Sequence, residues 1–367
     1  MKSTNTSAPS AELVPGKGSV AGEKIDFGRP MVRVFGHRID VRVVATAGIV
    51  MLLALACGFA GLLLGKFSLT PIEVFHGLFG QAEKRIVNTV VGEWRAPRVL
   101  AGIVLGAGLG VSGAVFQSLT RNPLGSPDII GFSTGAYTGG IVTIIFFGTS
   151  FVSTAFGAIV GGILTAALVY VLTWKGGVQG FRLIIVGIAL TAMLNAFNTW
   201  LIMRADLDLA MAAATWGAGS LNGMGWSTIL PAAIGTILLG LGCGLFARDL
   251  GTLELGDDTA KALGARNEPV RAVLILVAVA LVAVVTAAAG PIAFVALAAP
   301  QIGRRIAKAQ GTSMLSAAAV GALLLVAADL IAQHALGDIQ LPVGVVTVCI
   351  GGIYLIWLLI QEARKAQ

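Results

Sequence analysis

Charge is what this chain has least of. Only 12% of its 367 residues are Asp, Glu, Lys or Arg, while 56% are hydrophobic and the mean hydropathy is +0.89. A soluble domain carries about 25% charged residues, so a soluble globular enzyme is excluded. Cysteine is nearly absent as well. Cys57, Cys243 and Cys349 each lie inside an apolar run with no metal-ligand spacing between them, which argues against a disulfide framework or a thiolate metal site. His37, His76 and His334 are scattered, and no HExxH pattern occurs. There is no Walker A loop either. The nearest string, G-L-L-L-G-K-F ending at Phe67, has the wrong spacing and lacks the hydroxyl that would meet Mg²⁺. Any ATP hydrolysis must come from another chain, and no metal or cofactor is expected on this one.

Glycine, by contrast, is abundant at 49 residues. Without a collagen period, that excess fits close helix–helix packing in lipid. Each span needs about 20 apolar residues. Ten runs qualify, at 43–65, 98–119, 129–148, 151–173, 182–203, 227–247, 270–289, 291–306, 313–335 and 342–361. The third opens with a Gly/Ser/Thr-rich stretch, and the eighth is short and bracketed by Pro291 and Pro300. Residues 1–41 are polar, with no apolar core and cleavage site of a signal peptide. A disordered cytoplasmic tail is expected there, followed by a membrane domain over 42–367. The net charge of +7 reads as topology rather than nucleic-acid binding. With both termini inside, the outer segments hold only Lys66, Lys84, Arg85, Arg95, Arg98 and Arg204 of the 25 basic residues.

Two hydrophilic segments are long enough for structure. Residues 66–97 contain I-E-V-F-H-G-L-F, which suits a short interfacial helix. Residues 248–269 contain a stretch in which Asp257 or Asp258 can cap a helix ending at Gly264. Asp329 is the one acidic residue well inside a confident span. It is costly in lipid unless a partner satisfies it. In the fifth span Thr191, Asn195 and Asn198 fall on one helical arc with Gly187 a turn earlier. Such a polar face serves either as interhelical hydrogen-bonding glue or as lining of a translocation path. Gln117 joins the path candidates. No acid/base pair or metal constellation supports a membrane-embedded enzyme.

Five strings then occur in order: R-A-P-R from Arg95 to Arg98, V-S-G-A-V-F-Q-S-L-T-R-N-P-L-G-S-P, G-D-D-T-A-K-A-L-G, A-G-P-I-A-F-V-A-L-A-A-P-Q and L-P-V-G-V-V-T. From about residue 43 onward the chain resembles the FecCD family, the permeases of iron-siderophore, haem and cobalamin ABC importers. The tail I-G-G-I-Y-L-I-W-L-L-I-Q-E-A-R-K is most similar to ferric-enterobactin permeases.

The resemblance implies an all-α membrane protein of about ten transmembrane helices with the type II ABC importer permease fold, in a bacterial inner membrane. It implies a second, different permease chain, two ABC ATPase subunits that carry ATP and Mg²⁺, and an extracytoplasmic substrate-binding protein. The cargo would be a ferric siderophore of catecholate type; haem or cobalamin is the alternative. An ion-coupled secondary transporter is a rival from another class. Gly256, Asp257, Asp258, Ala260, Leu263 and Gly264 match the family's ATPase-coupling loop within 248–269. Arg95 and Arg98 match its binding-protein docking arginines, one of which could instead pair with Asp329. The chain departs from the family where Gln333 and His334 replace a further basic residue, and at A-P-Q, Ala299–Gln301, where many relatives have P-H.

Overall fold

The computed structural model describes residues 13–14, 17–20, 23–26, 31–34, 37–65, 67–174, 180–262, 267–309, 311–337 and 339–365. In hydrocarbon a backbone amide has no partner but its own segment, so the apolar runs become helices. α1 (Val41–Leu63) is followed by two short helices, α2 (Pro71–Leu78) and α3 (Arg85–Asn88). A π-helical segment, Thr89–Arg95, then runs into α4 (Ala96–Thr120). Next come α5 (Phe132–Phe147), α6 (Phe151–Thr173), α7 (Gly180–Arg204), α8 (Leu207–Gly217) and α9 (Trp226–Leu245). Two helices, α10 (Ala247–Glu254) and α11 (Asp257–Ala262), lead to α12 (Asn267–Ala289), α13 (Val295–Ala307), α14 (Met314–His334) and α15 (Val343–Lys365).

Each of the ten expected spans has its helix. Among the described residues, seven are long and apolar enough to cross a membrane, while α5 and the apolar part of α15 are shorter. α13 has 13 residues. At 1.5 Å per residue that is about 20 Å, short of the roughly 30 Å hydrocarbon core. Pro300 lies inside α13 rather than bounding it. A proline has no N–H to return to the carbonyl four residues back, which here is that of Ala296. Gly113 of α4 sits against that carbonyl so closely that a Cβ would collide with it.

Glycine sets the packing elsewhere too. Gly106 and Gly110 of α4 abut the backbone of α14 at Gly321 and Ala317, and Gly139 of α5 abuts Gly157 of α6. The centre of the molecule is α4, α12 and α14. Their most apolar stretches are 72%, 61% and 56% buried, against 17% for α7.

The N-terminal segment departs from the expected disordered tail. Its described residues form β1 (Leu13–Val14), β2 (Lys17–Val20), β3 (Glu23–Asp26), β4 (Met31–Val34) and β5 (His37–Asp40). β2 pairs with β3, and β4 pairs with β1 and β5, all antiparallel. V-R-V and R-I-D alternate apolar and charged residues with the period of a strand, a signal that polar composition masked. Strands are confined to this segment among the described residues. On the opposite side of the bundle, α2 forms where a short helix is expected. Its start is fixed by a capping box in which Thr70 and Glu73 bond reciprocally. Those bonds, first from the Thr70 N–H and then from its hydroxyl, hold the Glu73 carboxyl below the usual carboxylate range.

Candidate functional site

The hydrophilic segment after α9 folds as two helices where one was expected. α10 turns Leu250 and Leu253 into the apolar cluster that also holds Phe116, Leu119, Leu274 and, from α11, Ala260. α11 begins at Asp257. Gly256 precedes it at φ +107°, a conformation that favours glycine, and its carbonyl accepts from the Ala260 N–H at 2.9 Å. The backbone therefore puts Gly256, not Asp257 or Asp258, at the N-cap. Leu263 and Gly264 lie outside the described residues. Glu254, unremarked in the sequence, accepts from the Ser118 hydroxyl at 2.5 Å and from the Thr312 N–H at 3.3 Å.

On the other side of the bundle both arginines of R-A-P-R are engaged within the chain. Arg95 reaches back to the end of α1. Its Nη1 donates to the carbonyls of Leu62 (2.7 Å) and Leu63 (3.3 Å), and its Nη2 to that of Phe67 (2.8 Å). A cation there satisfies carbonyls that a helix C-terminus leaves open. Arg98 makes a bidentate pair with Asp329, both bonds 2.9 Å, and its Nη1 donates to Gln340. With side-chain exposures of 12% and 7%, this pair is shielded from water. Arg98 thus makes the Asp329 pair open to one of the two arginines, while Arg95 stays half-buried and bonded to the end of α1. Gln333, at the position that departs from the family, donates to Asp329 at 2.8 Å, so it completes the carboxylate's shell where a cation would compete with Arg98.

The path candidates do not share one environment. Gln117 is buried in α4 and donates to the Leu297 carbonyl of α13 at 2.9 Å. Thr191 donates to Gly187 in its own helix, beside the backbone of Gly131. Asn195 is exposed, whereas Asn198 is buried with neither amide atom partnered. The arc read from the sequence is thus divided between an open and a closed surface, because α7 turns its Asn198 edge toward the bundle and its Asn195 edge away.

Two residues with structural roles escaped the sequence reading. Gln301, in the unexplained A-P-Q, donates to Pro123 (2.7 Å) and accepts from the Tyr354 hydroxyl (3.3 Å), joining α13 to the turn after α4 and to α15. Asp128 is half-buried in the loop before α5. It accepts from Ser133 at 2.5 Å and from the Phe294 N–H at 3.2 Å, so one carboxylate closes the starts of both α5 and α13. Among the described residues no group of three or more His, Cys, Asp or Glu side chains comes together.

The fold is a multi-span membrane bundle with a buried glycine-lined centre, a short helix that contains Pro300 and a helical pair folded onto one end. The FecCD transport family model matches residues 52–361, and the chain belongs to that family. It is 52% identical over 318 residues to the ferric enterobactin transport system permease protein FepG of Escherichia coli (strain K12), covering 86% of this chain and 96% of that one. It is 36% identical to the iron(3+)-hydroxamate import system permease protein FhuG of Bacillus subtilis (strain 168), covering 85% and 96%. It is 31% identical to the hemin transport system permease protein HmuU of Yersinia pestis, covering 89% and 98%. A solved inward-facing conformation of a metal-chelate type ABC transporter superposes with a TM-score of 0.77 at 28% identity, covering 87% of this chain and 99% of that chain.

Proposed function

We propose that this chain is the permease subunit of a bacterial ABC importer that carries a ferric siderophore of catecholate type across the cytoplasmic membrane. The observation that carries the reading is the 52% identity to a ferric enterobactin permease along nearly the whole of both chains. The bundle supports it, since the same helix order superposes on a metal-chelate ABC transporter.

In this reading the chain makes no covalent change to its cargo. A second FecCD-family permease pairs with it, two ATPase subunits bind ATP and Mg²⁺, and a binding protein delivers the complex from outside. Both termini and the α10–α11 pair face the cytoplasm, in keeping with the basic residues on that side. α11 and the following Leu263 and Gly264 meet the ATPases. The binding protein docks at the outer surface around Arg95 and Arg98, whose bonds to the end of α1 and to Asp329 fix where the two guanidiniums sit.

The test is uptake of radio-iron by cells deleted for this gene. Loss of ferric catecholate uptake, with haem and cobalamin uptake intact, supports the assignment. Intact catecholate uptake with loss of haem or cobalamin uptake moves the cargo to those alternatives. In proteoliposomes of the assembled complex, transport driven by an ion gradient without ATP would replace the importer by a secondary transporter.

A further inference from the structure

The end of the coupling segment is tied to the membrane core by one side chain. Glu254 is the last residue of α10, and its Oε1 receives donors from two different elements. The Ser118 hydroxyl comes from the last full turn of α4, and the Thr312 N–H from the residue before the Ser313 cap of α14. Ser118 is buried, at 2% exposure. Gly311 leaves room for the carboxylate, because a Cβ there would lie 2.8 Å from its Oε2.

The link from α11 to this carboxylate is short and bonded. Only Leu255 and Gly256 separate the two helices, and their N–H groups donate to Thr252 and Leu253. The link beyond it is stiff as well. α4 and α14 touch at backbone level through Gly106, Gly110 and Gly321, so what pulls on one pulls on both. Leu250 and Leu253 give α10 apolar adhesion to α4, but apolar contact is non-directional and permits sliding. Hydrogen bonds to a carboxylate are directional and roughly twice as strong as neutral ones.

We propose that Glu254 is a positioning residue for coupling: it clasps the C-terminal end of α4 and the N-terminal end of α14, so that displacement of α11 is delivered to the central helix pair. This rests on the importer reading, in which α11 is moved by the ATPases.

The experiment uses the complete transporter, purified with its partner subunits and reconstituted in proteoliposomes with its binding protein. Uptake of a radio-iron-loaded catecholate siderophore and ATP hydrolysis are measured on the same preparation. Glu254→Ala is expected to lower uptake about tenfold, roughly the worth of one charge-assisted hydrogen bond, with basal hydrolysis preserved, so that more ATP is spent per iron. Glu254→Gln keeps an oxygen acceptor and is expected to retain most uptake. Gly311→Ala, which leaves the carboxylate present but crowds it, should fall between. Ser118→Ala should lower uptake in the wild-type background and add nothing in Glu254→Ala.

Uptake at the wild-type level in Glu254→Ala overturns the proposal. So does an equal loss of uptake and hydrolysis in the Ala and Gln variants, which marks a merely structural residue. Should Glu254→Ala fail to assemble, Ser118→Ala and Gly311→Ala decide: unchanged uptake per ATP in both overturns it, and a fall in either supports it. Leu263→Asp separates the two levels. If it abolishes uptake while Glu254→Ala does not, only the clasp fails; if it too transports normally, the coupling reading fails.

Discussion

α4 and α7 are both 25 residues long and both apolar enough to span, yet one is the axis of the molecule and the other its rim. α4 carries Gly102, Gly106, Gly108, Gly110 and Gly113, each of which puts backbone or a branched side chain of a neighbour where a Cβ would stand. α7 instead shows Phe181, Met193, Trp200 and Met203 outward, each more than half exposed. Hydropathy selects a span in either case; spaced small residues select the one that other helices can approach. Lipid tails are as apolar as leucine, so close packing and polar contacts, rather than apolarity, decide which helix is buried.

The largest expected effect breaks the α4 side of this contrast. Gly113→Val drives a branched side chain into the Ala296 carbonyl, where overpacking costs about 1–3 kcal/mol or more. Monodisperse protein recovered from membranes should fall to near nothing, while Met193→Val on α7 should give wild-type yield; equal yields would show that glycine spacing does not define the centre. Next is the pair at the entrance to α4. Arg98→Met leaves a shielded carboxylate without its cation and should lower stability by about 3–5 kcal/mol in a detergent unfolding titration. Adding Asp329→Leu should recover most of it, and no recovery would mean that the pair has a role besides mutual neutralisation. Arg95→Ala follows, at about 1.5–3 kcal/mol for hydrogen bonds from a charged group, and hydrogen exchange should rise at the end of α1 first. The smallest effect sharpens the α7 side. Asn198→Leu removes two unpartnered buried polar atoms, so stability should stay within about 1 kcal/mol or rise. A clear fall would mean that the amide finds its partner in the assembled transporter.

How much of this was legible in the sequence depends on how far each signal reaches. Spans, their order and the short helix after α1 are local, and they emerge where the apolar runs and the I-E-V-F-H-G-L-F string place them. The glycine excess announced close packing, though not which helices meet. R-A-P-R was visible as a motif and Asp329 as a partner for one of its arginines, but that Arg98 takes it, 231 positions away, and that Arg95 turns to the end of α1 are set by the packing. Likewise nothing near Asp128 points to Phe294, 166 positions later. The polar arc of α7 was a correct reading of helical geometry, but the neighbours that close over Asn198 and leave Asn195 open are not encoded in that helix. Gly256 as the cap of α11 was within reach, since a glycine before two aspartates competes with them for the same turn.

The Arg98–Asp329 pair also has a consequence for how the protein is made. The ribosome delivers Arg98 long before Asp329. At about 5–20 residues per second, roughly 10–50 s pass before the carboxylate is even synthesised. During that interval the second span must hold a cation near one end without its counter-charge, and its long stem allows the guanidinium to rise to the lipid headgroups. Only when the ninth span arrives can the arginine descend, and α1, packed against α4 and α14, can take its final place. The first helices to enter the membrane are therefore among the last to settle.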